Sequence, residues 1–140
     1  MVRIAHFDTI GDMLDQIPEL STFNQLVRRS GVIVDLDGEG PFTVFAPTNE
    51  AFDKLPPNAL GNIVKVPADL ERFVRHHVAP GSFDRERIIA SDVVPTVLGV
   101  GLEVIDAEPG PYVGGARVVD ADIGTGNGVV HTVDDVIGPE

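Results

Sequence analysis

The sequence predicts an α+β fold, and three observations carry that reading. Helical spacing of apolar residues dominates the chain up to Ile89, whereas from Ser91 onward the apolar residues alternate as in strands. Helices first and strands later separate the two element types along the chain, as in α+β proteins. A continuous apolar run, Phe42–Ala46, interrupts the helical part with the length and the aromatic and β-branched content of a buried strand. At 140 residues, 43% hydrophobic and 23% charged, the chain reads as one folded domain, 1–140. Such a domain buries roughly two-thirds of its unfolded surface.

Thr9 opens the first helix as N-cap, with Asp12 three residues on in an approximate capping box. Ile10, Met13, Leu14 and Ile17 form its apolar face before Pro18. Ser21 is the expected cap of a second helix, with Phe23, Leu26 and Val27 inward. Arg28 and Arg29 sit where the helix dipole favours cations, and Gly31 closes the helix. Val32–Leu36 is a short apolar stretch, and Asp37-Gly38-Glu39-Gly40 is a turn. Pro47 stops the Phe42–Ala46 strand, because proline cannot donate to a sheet ladder. Thr48 then caps a short helix with Glu50 in its first turn and Ala51, Phe52 and Leu55 on its apolar face. Pro56 and Pro57 end it. Pro67 fits the first turn of a further helix, on which Leu70, Phe73, Val74 and His77 share a face. Pro80-Gly81 ends that segment, and Ser82 opens a short helical piece through Ile89. The strands expected after it are Val93–Val97, Leu102–Ile105, Ala116–Val119 and Val129–Ile137, separated by Gly and Pro clusters.

Three segments resemble the signature segments of the fasciclin-type domain family. PFTVFAPTNEAFDKLP, residues 41–56, resembles the first. HHVAPGSF, residues 76–83, resembles the family's tyrosine–histidine segment, with His76 where tyrosine is usual and His77 in the histidine place. NGVVHTVDDVIGP, residues 127–139, resembles the closing segment. Order and spacing match a single domain over nearly the whole chain. The resemblance implies a compact, wedge-like domain in which two small β-sheets form a sandwich with several helices packed around it. It marks Phe45, Thr48, His77, Asn127, Gly128 and His131 as motif residues with structural roles. It also implies a non-enzymatic adhesion or interaction module at a cell surface or in an extracellular matrix, contacting protein or carbohydrate. Asp122–Ile123 matches a place where animal relatives have been linked to integrin binding through an Asp–Ile pair. His76, Asp122 and Ile123 are therefore the candidate binding residues, although the histidine departs from the usual tyrosine.

Composition excludes several other classes. The formal charge of −12 argues against nucleic acid, whose phosphates need clustered Lys and Arg, and against anionic membrane surfaces. It is read first as solubility, and second as a basic or calcium-bridged partner. No apolar run approaches the roughly 20 residues of a membrane span, so direct membrane insertion is not expected. With no cysteine, thiolate metal sites, thiol catalysis and disulfides are excluded. The opening residues, MVRIAHFDTIGDML, lack the apolar core of a signal peptide. Either the chain works where it is made, or a leader has been cut away. The alternative reading is accordingly an intracellular or periplasmic protein-binding domain that recruits one partner. A monomer or weak self-association is expected.

The residues with chemical capacity have structural explanations. His77 lies on an apolar helical face and reads as a buried neutral imidazole, with Thr48 one candidate partner. His131 alternates with Val129 and Val133, which places it on a core-facing side of a strand. His76 points elsewhere on its helix and is expected to face solvent. Adjacent His76 and His77 diverge on a helix, and Asp35, Asp37 and Glu39 lack the glycine and distal glutamate of a calcium-binding EF-hand, so neither metal nor cofactor is expected. GxSxG is absent, and Ser21, Ser30, Ser82 and Ser91 all have cap or turn roles. GTGNG, residues 124–128, lacks the spacing of a phosphate loop. Asp134 and Asp135 face opposite ways on a strand and cannot easily share a proton. No enzymatic activity is expected.

Overall fold

The computed structural model describes residues 9–36, 38, 40–55, 58–107 and 110–137. Helix α1, Ile10–Gln16, is capped by Thr9, whose hydroxyl accepts the Asp12 N–H, as its spacing predicts. A short 3-10 turn, Pro18–Leu20, runs straight into α2, Ser21–Ser30. Ser21 therefore lies inside the helix rather than capping it. The side-chain oxygen of Asn49 instead accepts the Thr22 N–H at 3.0 Å, so the first turn of α2 is capped from a distant part of the chain. Gly31 ends α2 with φ of 86°, the left-handed conformation that a glycine adopts without strain.

The apolar stretch that follows contains a one-turn helix, α3, Ile33–Leu36. Strand β1, Phe42–Pro47, leads through Thr48 into α4, Asn49–Asp53, and Thr48 Oγ1 accepts the Ala51 N–H at 3.3 Å. Asp37, Glu39, Pro56 and Pro57 lie outside the described residues. Helix α5, Ala59–Lys65, has no counterpart in the sequence reading: none of its residues is fully buried, although Leu60, Ile63 and Val64 pack against the helical core from one face. Helix α6, Pro67–Arg75, buries Leu70, Phe73 and Val74 on one face. Strand β2, Val78–Pro80, and helix α7, Arg85–Ile89, follow, the latter capped by Asp84.

The strands that complete the domain are β3, Val93–Val94; β4, Leu102–Ala107; β5, Gly110–Val113; β6, Ala116–Thr125; and β7, Gly128–Val133. They form a single seven-stranded sheet in the order β2-β1-β7-β6-β5-β4-β3, not two small sheets. Only the β1–β7 pair is parallel; the other pairs are antiparallel. The long strand β6 makes the sheet continuous, pairing with β5 at its start and with β7 along the rest. Its register with β7 shifts between Val118 and Asp120 and again between Asp120 and Ile123. Each shift leaves one extra residue on β6, and such bulges bend a strand.

Where the resemblance implies a sandwich of two small sheets, this bend instead gives one sheet two cores. Val44 and Ala46 face a core of α1, α2, α3 and α6, together with Val78 and Val130. Phe45, Ala79 and Val133 face the other way, into a second core shared with Val94, Leu102, Val113 and Val118. Residues from both ends of the sheet thus meet in one cluster: the sheet folds over onto itself. Alternation along β1 places successive side chains in different cores.

Candidate functional site

Both strand-associated motif histidines are fully buried and hydrogen-bonded at both ring nitrogens. His77 follows α6, and the end of that helix brings Nδ1 to 2.8 Å from the Phe73 carbonyl. Its Nε2 accepts the Ile137 N–H at 3.0 Å. A carbonyl can only accept and an amide N–H can only donate, so the bonds fix the neutral tautomer with its proton on Nδ1. Thr48, one candidate partner from sequence, is not used; its hydroxyl accepts the Ala51 N–H at the N-terminus of α4. Phe73 and Phe23 pack against the His77 ring, with centroids 4.8 and 5.6 Å away. Burial pushes its pKa down to about 4, against a smaller upward pull from the Phe73 carbonyl.

His131 on β7 has the opposite tautomer. Nε2 donates to the Phe83 carbonyl at 2.6 Å, and Nδ1 accepts the Asp122 N–H at 3.1 Å. Its ring stacks on Phe45 at 5.6 Å between centroids. Burial lowers its pKa, opposed by the Phe83 carbonyl, Asp122 and Asp84. His77 therefore ties the end of α6 to the segment after β7. His131 ties the loop before α7 to the second bulge of β6.

Asn127 and Gly128 form a third clamp. Asn127 Nδ2 donates to the Leu36 carbonyl at 2.6 Å and the Gly38 carbonyl at 2.8 Å. Its Oδ1 accepts the Ile10 N–H and the Thr125 hydroxyl. One side chain thus joins α1, the segment after α3 and the β6–β7 turn. Gly128 lets β7 approach β1 closely: a Cβ there would collide with the Phe42 carbonyl oxygen. The sequence carried no signal for a fourth clamp, at Thr43, whose hydroxyl donates to the Gly81 carbonyl and accepts the Phe83 N–H, each at 2.8 Å.

The three candidate binding residues do not form an exposed group. His76 is only 4% exposed, contrary to the solvent-facing position expected. His76 keeps helical backbone angles and donates its N–H to the Arg72 carbonyl, but the His77 ring and the Ile137 main chain lie against its imidazole and cover it. Its Nδ1 is buried without a hydrogen-bond partner. Burial lowers its pKa, with the Ile137 main chain opposing. Ile123 is half-buried against the helical core and pairs with Val130. Asp122 is exposed, but its carboxylate accepts the Arg85 N–H at 2.7 Å, next to the N-terminal cap of α7. Its backbone is left-handed, with φ of 62°. Among the described residues no hydrogen bond joins His76 to Asp122 or Ile123.

Among the described residues, no group of three or more His, Cys, Asp or Glu side chains is placed to hold a metal ion. Of the residues considered for a calcium loop, Asp37 and Glu39 lie outside the described residues, and Asp35 binds Arg75 at 2.8 Å. No described helix is long and apolar enough to cross a membrane. The arrangement holds parts of the fold together and leaves no ring nitrogen free at His77 or His131.

Comparison with known proteins places this architecture among others. The Fasciclin domain family matches residues 18–139. The uncharacterized protein sll1735 of Synechocystis is 37% identical over 117 residues, covering 84% of this chain and 87% of that protein. The cell surface glycolipoprotein MPB83 of Mycobacterium bovis is 35% identical, covering 76% of this chain and 48% of that protein. A solved FAS1 domain pair from the insect cell adhesion molecule Fasciclin I superposes with a TM-score of 0.80, covering 96% of this chain and 52% of that one. At 16% identity that likeness shows the shared fold.

Proposed function

The chain belongs to the fasciclin domain family, and from that premise we propose that it is a non-enzymatic interaction module working at a cell surface or in an extracellular matrix, in contact with protein or carbohydrate. Domains of this family generally serve as non-catalytic adhesion modules. One observation carries the reading for this chain. The ring nitrogens of His77 and His131 are all engaged in bonds to the main chain, so the most reactive-looking residues of its signature segments are fasteners. A neutral imidazole with both nitrogens engaged can neither take a substrate proton nor bind a metal without breaking the fold. The naming of one relative as a cell surface glycolipoprotein and of another as a cell adhesion molecule supports a surface location and an adhesive role. The test is retention of domain-coated beads on envelope fragments of the source cells. Retention that survives EDTA, with no turnover in a broad hydrolase screen, is the expected result. Absence of retention together with measurable turnover would overturn the proposal.

A further inference from the structure

An open cleft of about 350 Å³ lies between α3, the start of β1, β2 and the loop after β3. Its floor is apolar: Leu36 and Val78 are buried there, and Phe42 and Val97 are half-buried beside them. Val34 stands at the rim, 74% exposed, the most exposed large apolar side chain among the described residues. An isolated valine on the surface is ordinary, but one beside an apolar cleft extends the apolar area a partner can cover. Asp35 and Arg75 are the charged residues at the rim among the described residues.

The charges at that rim bear on what can occupy it. The Arg75 guanidinium binds Asp35 on the rim at 2.8 Å and Glu71, outside the cleft, at 2.9 Å, so two carboxylates share one cation. An incoming carboxylate or phosphate would have to displace one of them and face the other. An incoming ammonium or guanidinium meets the exposed Asp35 carboxylate at the rim, where two carboxylates outnumber one cation, and a total charge of −12 favours its approach. The same total charge disfavours a second copy of this chain. The open shape suits one or two side chains of a peptide better than an enclosed small molecule, because a small-molecule ligand is usually buried over most of its surface.

We propose that this cleft is a docking site for a protein segment in which one or two apolar side chains are flanked by lysine or arginine. The apolar residues fill the space over Leu36, Phe42, Val78 and Val97, and the flanking cation sits against Asp35. The proposal rests on the reading of the chain as an interaction module and gives that module a site and a partner chemistry.

The test uses the 15N-labelled protein and the synthetic peptide Lys-Leu-Phe-Lys with blocked termini, at ~1 mM, in the range of weak single-site affinities. Amide shifts at Val34, Leu36, Phe42, Val78 and Val97 are expected, weakening as salt is raised. Val34→Lys should reduce the affinity at least about tenfold by opposing the peptide's charge at the rim. Val66→Lys makes the same change of charge at an exposed valine outside the cleft and should leave the affinity unchanged. Equal binding of Glu-Leu-Phe-Glu would overturn the charge argument, and equal binding of Lys-Ser-Ser-Lys the apolar one. Shifts elsewhere, or none, would overturn the site. Envelope retention of wild-type beads reads the broader proposal separately: it can persist when the cleft proves unoccupied.

Discussion

At His77 a single proton separates a fastened chain from a loosened one. The Ile137 N–H needs an unprotonated Nε2 to donate to, and protonation turns that acceptor into a competing donor. The folded pKa, about 4, lies below the ordinary value of 6.5. Between those two values the unfolded chain holds a proton that the folded chain does not. Stability from this source is therefore complete above about pH 6.5 and declines as pH falls toward about 4, by on the order of 3 kcal/mol in all. Urea melts across that window should show the decline, and His77→Asn should reduce it to the part that His76 and His131 contribute. Asp122 makes a second test at this scale. Its carboxylate bonds the Arg85 N–H, and its φ is positive. Asp122→Ala should lower stability by about 1–2 kcal/mol, whereas Asp122→Asn, which keeps an acceptor and tolerates the left-handed region, should retain most of it. Equal melting temperatures for wild type and Asp122→Ala would mean that this side chain is free for a partner.

Among the elements, β1 shows best how packing follows from the pattern of residues. Phe45 is fully buried between Ala79, Val133 and the stacked His131 ring. Phe45→Ala should cost about 3–5 kcal/mol through the cavity it leaves. A loss below about 1 kcal/mol in urea would show that the second core collapses readily around the gap. The start of α2 gives another test: Asn49→Ala removes the acceptor for the Thr22 N–H and should cost about 1 kcal/mol, while Ser21→Ala should cost much less. Elements whose signals are local were legible in the sequence. The Thr9 and Thr48 caps, the Gly31 ending, the buried face of α6 and strand β1 all rest on neighbours within a few residues. Elements held by distant partners were not. Ser21 looks like a cap until Asn49 arrives from 28 positions away. The three-residue β2 is a strand because β1 pairs with it, and β5 because β4 and β6 flank it. The buried position of His76 depends on Ile137, 61 positions further on, whose main chain lies against it, and no periodicity encodes that. The structural roles of His77 and His131 were legible from their apolar neighbours; their partners, Ile137, Phe83 and Asp122, were not.

For the molecule as a whole, the same clamps that close the fold limit what it can do. The bend at β6 brings both ends of one sheet into a common core. His77, His131, Asn127 and Thr43 fasten that bend to the helices and loops around it. Polar groups engaged in this way rigidify a core and are costly to leave unpaired, which keeps them from service as reactive groups. The function proposed for this chain is assigned instead to the acidic surface and the apolar cleft beside α3. The most direct test is a pH titration of the ring nitrogens by 15N NMR. His77 should hold its proton on Nδ1 and His131 on Nε2, with neither ring titrating near pH 6.5 while the protein stays folded. A ring at either position that titrates near pH 6.5 and exchanges between tautomers, as in free solution, would contradict the account.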